Sequence, residues 1–326
     1  MQDMLDFKGY PQGTLASEWR DEQLRAWPCE PCTVATLDKR KLEGFWRPPI
    51  QGHQGAVIVF HPNFAVALDM IRYGRWYSKH GFGVLLVTMG GYSGSEGDTS
   101  ELTAYIDAHA ALQHVHVQRG IPLKGITHHP HFGSIPAHIR GIRFIMADPD
   151  PDLGILCHGV SIGGALATAA AYLHPGVHCT VDQTFVNTRE VAEELIGSQP
   201  DYWIRNIPTW LIRGFVETVF PHGVQDTNLP GITTDGMDNE LKARSLKGGY
   251  FVISAQKDMM MPPTFATRLI EAYMEGSELG GDDAIVRYTC IERGGHGAFF
   301  GDNRRSEMVY VEYLRAIGLL SKEAYM

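Results

Sequence analysis

Apolar residues along the chain gather into short, nearly unbroken runs. "GAVIVF" (55–60), "GFGVLLVT" (81–88), "LGILC" (153–157), "GVHCTV" (176–181), "GYFVISA" (249–255) and "AIVRYTC" (284–290) are five to eight residues long. Runs of this length without polar alternation read as strands buried on both faces. Residues 33–47 add a strand pair that turns at Asp38-Lys39-Arg40. Between the runs, 66–80, 100–118, 162–174, 263–275 and 303–317 carry helical patterns, and Thr99 or Ser100 is placed to cap the second of them. Strands alternating with helices predict an α/β fold: a mainly parallel sheet of about eight strands with helices on both faces. Ligands of such sheets bind beyond the carboxyl ends of the strands, which makes the strand-end loops the place to look for chemistry.

Two stretches break this rhythm. Residues 119–150 are rich in glycine, proline and histidine, and 187–247 contain the aromatic segment "YWIRNIPTWLIRGFVETVF". Both read as insertions, the second large enough to cap the strand ends. The expected organisation is therefore a core from 1–186 and 248–326, with a polar, mixed leader over 1–28 that packs on the domain, an insertion at 119–150 and a cap at 187–247.

Composition narrows the function. With 326 residues, 44% of them hydrophobic, the chain can bury a sizeable core. A formal net charge of −9 and the lack of a basic run argue against nucleic-acid binding. Cys29 and Cys32 form a C-x-x-C pair, but no second pair completes a zinc site and Glu30-Pro31 suits a strand edge better than a redox helix. His128, His129, His131 and His138 have no carboxylate or thiol at a helical spacing, so neither metal nor organic cofactor is expected. The N-terminus has no secretory pattern, and no apolar segment reaches the roughly 18 residues of a membrane span. These features predict a cytoplasmic protein without a transmembrane segment; they say nothing about its oligomeric state.

The third run leads into "CHGVSIGGALAT", where Gly159, Gly163 and Gly164 surround Ser161. This is either a tight packing turn with an incidental hydroxyl or a bend that holds a nucleophile out from the sheet. A serine hydroxyl needs a base, and the base needs an orienting acid. Asp258 follows the fifth run, 97 residues after Ser161, and His296 follows the sixth, 38 residues later, among Gly294, Gly295 and Gly297. Taken one at a time, Asp258 could be a surface turn residue and His296 a loop histidine. The order Ser, Asp, His at successive strand ends is what a catalytic triad on this sheet requires.

From about residue 30 to 320 the chain resembles the α/β-hydrolase superfamily. "HPNFAVAL" and "GFGVLLVTMGGYSGSEGDTSE" resemble the H-G-N and R-G-Y-G-x-S-x-G-x-x-S-E segments. These are typical of acyl-protein depalmitoylases, monoglyceride-lipase-like enzymes and serine aminopeptidase-like proteins. The resemblance implies the α/β-hydrolase fold, with Ser161 as nucleophile, His296 as base and Asp258 as its orienter. It also implies an oxyanion hole from the N–H groups of Ile162 and of Asn63 (or Phe64), because Pro62 replaces the usual glycine and has no N–H. "TMGG" at 88–91 lacks the arginine that often braces this loop. His61, Met259, Met260, Trp203 and Trp210 are the candidate pocket residues, with Phe215 and Phe220 also in the expected cap; His158 is assigned to packing. The expected activity is a serine esterase acting on a small-molecule ester or thioester with a hydrophobic acyl or aromatic group. The alternatives are carbon–carbon bond hydrolysis, peptidase or amidase action on the same triad, or a non-catalytic ligand-binding relative.

Overall fold

The structure is a computed structural model that describes residues 14–50, 55–121, 154–197, 234–280 and 285–320, with a few single positions between 207 and 223. Eight strands form one sheet: β1 (Glu30–Ala35), β2 (Lys41–Arg47), β3 (Ala56–Phe60), β4 (Gly83–Val87), β5 (Ile155–Val160), β6 (His178–Asp182), β7 (Tyr250–Ala255) and β8 (Val286–Ile291). Their order is β1-β2-β4-β3-β5-β6-β7-β8. The β1–β2 hairpin and the β2–β4 pair are antiparallel, and every later pairing is parallel. The expected eight-stranded, mainly parallel sheet is present.

The helices are α1 (Thr14–Ala26), α2 (Ile71–Lys79), α3 (Glu101–Gln113), α4 (Ile162–Leu173), α5 (Thr188–Gly197), α6 (Asn239–Ala243), α7 (Pro263–Gly280) and α8 (Arg304–Ala316). Ser100 caps α3, its hydroxyl accepting from the Thr103 N–H. The strand side chains explain the unbroken apolar runs. Along β3, Ala56, Ile58 and Phe60 join the core under α3, α4 and α7, while Val57 and Val59 join the core under α2 and α8. Both faces are covered, which is why apolar residues fill the central strands without alternation.

The leader contains α1, which runs into Trp27, buried at 1% exposure and donating its indole N–H to Ser78. Two features depart from expectation. Residues 66–80 split into a 3₁₀ turn at Ala67–Met70 followed by α2. Residues 234–247, expected in the cap, pack on the core: Asn239 is fully buried, its side-chain amide donating to the Phe185 carbonyl and its backbone N–H to that of Val186. Glu101 holds the start of this segment by accepting from the N–H groups of Asp235, Gly236 and Met237. The 119–150 insertion beyond residue 121, with its four histidines, and most of the cap lie outside the described residues. Among the described residues no helix is long and apolar enough to cross a membrane.

The five cysteines are free thiols. Cys29 and Cys32 sit at the β1 edge, and burial pushes the Cys29 thiol up to about 11 and that of Cys32 upward as well, so neither is activated.

Buried histidines couple this core to pH. Burial lowers His61, His109 and His114 to about 4, and it lowers His174, which stacks on His109 with a 2.9 Å hydrogen bond between the rings. The folded pKa values lie below the ordinary value of about 6.5. The stabilisation from these neutral rings is therefore complete above about pH 6.5 and is lost as pH falls toward 4, where the unfolded chain takes up protons that the folded chain refuses. A melting series from pH 7 to 4 should show a steep fall in Tm. Replacing the stacked pair with His109→Phe and His174→Phe should flatten that fall.

Candidate active site

The candidate residues stand on one edge of the sheet. Ser161 directly follows β5, Asp258 lies three residues past β7, His296 five past β8 and Asn63 three past β3. These are all carboxyl ends of parallel strands.

Ser161 sits at φ 54° and ψ −120°, a conformation that L-residues other than glycine rarely adopt. Its neighbours show why glycines are needed around it. A Cβ on Gly159 would overlap the Gly163 carbonyl, one on Gly163 would meet the His61 carbonyl at 2.7 Å, and one on Gly164 would press on Thr184. The turn is so tight that helix and strand backbones touch. The serine is held from both sides: its N–H donates to the Asp182 carbonyl at 2.9 Å, and its carbonyl accepts from the Thr184 hydroxyl at 2.7 Å. Strain of this kind costs about 1–3 kcal/mol and persists only where surrounding structure imposes it. Gly159→Ala should therefore destabilise the fold by several kcal/mol, read as a large drop in Tm or loss of soluble protein, whereas Gly120→Ala, with open space around the added carbon, should cost only its positive φ.

Asp258 is buried, and both of its oxygens are engaged. Oδ1 accepts from the N–H groups of Met260 and Met261 at 2.9 Å each, and Oδ2 accepts from His296 Nδ1–H at 2.8 Å. The tautomer leaves His296 Nε2 available as an acceptor. The structure thus brings Asp258 and His296 together. Among the described residues, the Ser161 hydroxyl has no hydrogen-bond partner, and Ser161 stands on the same strand-end edge as the Asp258–His296 pair.

Asn63 and Phe64 lie in the loop after β3. The Asn63 side-chain oxygen accepts from the Tyr92 hydroxyl at 2.7 Å and from the Phe64 N–H at 3.1 Å. That bond engages the Phe64 N–H. Ile162 opens α4, where a helix N–H has no intrahelical acceptor.

His61 is a correction. It was expected to line a pocket, yet it is completely buried. Its Nδ1 donates to the Pro62 carbonyl at 2.8 Å and its Nε2 accepts from the Met89 N–H at 3.0 Å. It ties the loop after β3 to the loop after β4 and offers a substrate nothing. Met259 and Met260 are exposed, at 72% and 38%, beside the acid. Trp203, Trp210, Phe215 and Phe220 lie outside the described residues. His158 is buried, with Tyr77 hydrogen-bonded to its Nδ1 and Phe300 stacked on its ring.

Two residues in the site's framework escaped the sequence reading. Arg40, from the β1–β2 turn, pairs with Asp38 at 2.6 Å and with buried Asp107 at 2.9 Å, while Asp107 accepts from the Gly90 N–H at 2.7 Å. Burial raises Asp107 to about 6 against the pull of Arg40. Arg40 thus braces the loop at Gly90 through Asp107, and its side chain occupies the space that side chains at Gly90 and Gly97 would need. The second is Gln183, directly after β6, whose role is taken up below. Among the described residues no group of three or more His, Cys, Asp or Glu could hold a metal.

Solved structures with the same architecture include an esterase of Pyrococcus furiosus, with a TM-score of 0.58 and 14% identity over 91% of this chain and 93% of that one. Another is an α/β hydrolase of Vibrio vulnificus, with a TM-score of 0.62 and 14% identity over 96% and 91% of the two chains. The chain has the α/β-hydrolase fold. A puromycin-hydrolysing peptidase of Mycobacterium tuberculosis is similar over 89% of this chain but 39% of its own, with a TM-score of 0.53 and 15% identity. No protein-family model and no curated protein matches the sequence.

Proposed function

We propose that this α/β-hydrolase-fold protein is a serine hydrolase that cleaves carboxylic esters of hydrophobic acyl or aromatic groups. The observation that carries the reading is the pair formed by His296 and buried Asp258, set on the same strand-end edge as a serine held at positive φ. Ser161 Oγ attacks the carbonyl carbon while His296 Nε2 takes its proton. Asp258 fixes the tautomer and stabilises the imidazolium. The N–H groups of Ile162 and Asn63 receive the developing oxyanion, a contribution of about 2.7–4 kcal/mol for each donor of this kind. His296 then protonates the leaving alcohol, and on the second half-reaction it activates water to release the acid from Ser161.

Exposed apolar side chains near these groups support a hydrophobic acyl chain over a sugar or phosphate. Phe64 is 45% exposed at φ 60° in the oxyanion loop, and Met259 and Met260 follow the acid. A panel of p-nitrophenyl esters of increasing chain length, set against thioesters and aminoacyl amides, tests the assignment. Highest kcat/KM on a medium or long acyl ester is expected, and faster turnover of the aminoacyl amides would move the activity to a peptidase.

A further inference from the structure

The backbone just after His296 is held by Gln183. This side chain is 1% exposed, and its amide reaches one backbone N–H and one backbone carbonyl just after His296. Oε1 accepts from the Gly297 N–H at 2.6 Å, and Nε2 donates to the Ala298 carbonyl at 2.7 Å. The second proton of Nε2 goes to Asp182 Oδ1 at 2.9 Å, and Asp182 Oδ2 accepts from the Tyr73 hydroxyl at 2.9 Å. The buried carboxylate therefore dictates which end of the amide faces which peptide group. Gln183 itself sits at φ 52°, an arrangement that costs a non-glycine residue and is imposed by its surroundings.

The backbone of the same dipeptide grips the other half of the site, because the Asp182 carbonyl accepts the Ser161 N–H. One end of β6 thus holds both the Ser161 N–H and the Gly297 N–H and Ala298 carbonyl beside His296. We infer that Gln183 is a positioning residue that sets the approach of the His296 imidazole to Ser161; this rests on the serine-hydrolase reading above. A loop flanked by glycines on both sides of His296 has little stiffness of its own, and a displacement near 1 Å at a reacting group can cost about 100-fold in rate.

Gln183→Asn is the first test. Asparagine tolerates positive φ, so the backbone is kept, but it is one methylene too short to reach both peptide groups while contacting Asp182. The expected result is a 10- to 100-fold loss in kcat and in the rate of fluorophosphonate labelling, with KM little changed and Tm lowered by the lost buried hydrogen bonds. Gln183→Met, equal in length but without the amide, should lose as much. In an Asp258→Asn background, where the imidazole carries its proton on Nε2 and cannot act as base however it is placed, either change should cost less than about threefold. A merely structural role would lower both backgrounds by the same factor.

Activity of Gln183→Asn within about twofold of wild type, or equal losses in the two backgrounds, overturns the inference alone. A wild-type protein that neither labels at Ser161 nor turns over any ester overturns the functional reading and the inference with it. Amide exchange of Gly297 in the unmodified protein needs no variant: protection is expected, and exchange at the rate of an open loop overturns the clamp.

Discussion

Ser161→Ala is expected to lower kcat for ester hydrolysis by about 10⁴- to 10⁶-fold and to abolish fluorophosphonate labelling, with the fold intact. The size follows from the chemistry: without the hydroxyl no acyl-enzyme forms, and only the oxyanion donors and bound geometry remain to assist direct attack by water. The fold survives because the serine is held through its backbone. Its N–H and carbonyl contacts to Asp182 and Thr184 persist in alanine, and its hydroxyl has no partner among the described residues. Ser161→Gly should be equally inactive but should raise Tm, since glycine adopts φ 54° without strain. Initial rates with a chromogenic ester, intact mass after labelling and a melting curve settle all three points. An alanine variant within tenfold of wild type would remove Ser161 from the mechanism.

Much of this site was legible because it lies where strands end. A run such as "GAVIVF" reads as strand because residues on both of its faces are buried, and the residues that follow each run are then automatically on the ligand edge. The glycines around Ser161 carry a local steric signal, and the order Ser161, Asp258, His296 carries a topological one. Other parts left no such trace. Arg40 reaches Asp107 and Gln183 reaches Gly297 across 67 and 114 positions, and neither contact has a period or a motif. His61 looked like a pocket residue because it follows a strand end, but the side chain turns inward to link two loops. Helix α1 was hidden by a mixed polar sequence whose burial depends on a surface that forms only after folding, with Trp27 against Ser78. In each case the missing information is a tertiary partner, whereas the strands and the elbow are specified by near neighbours.

Asp258→Asn should lower kcat by about 10⁴-fold without unfolding the protein. The argument turns on which way the amide faces. Asp258 Oδ1 accepts two backbone N–H bonds, from Met260 and Met261, and an asparagine will keep its oxygen there because an NH₂ group would meet two donors. Its NH₂ must then face His296 Nδ1, where the carboxylate had accepted a hydrogen bond. The imidazole answers by moving its proton to Nε2, the nitrogen that should receive the proton of Ser161, so the base is blocked and the imidazolium loses its counter-charge. Shape and most hydrogen bonds are retained, which keeps Tm close to wild type. The loss should shrink at alkaline pH, where hydroxide can stand in for the base, whereas a variant whose loop had merely been displaced would show the same deficit at every pH. Asp258→Asn retaining more than a tenth of wild-type kcat at pH 7 would show that this carboxylate supports the turn at 258–261 and leaves His296 to be oriented by something else.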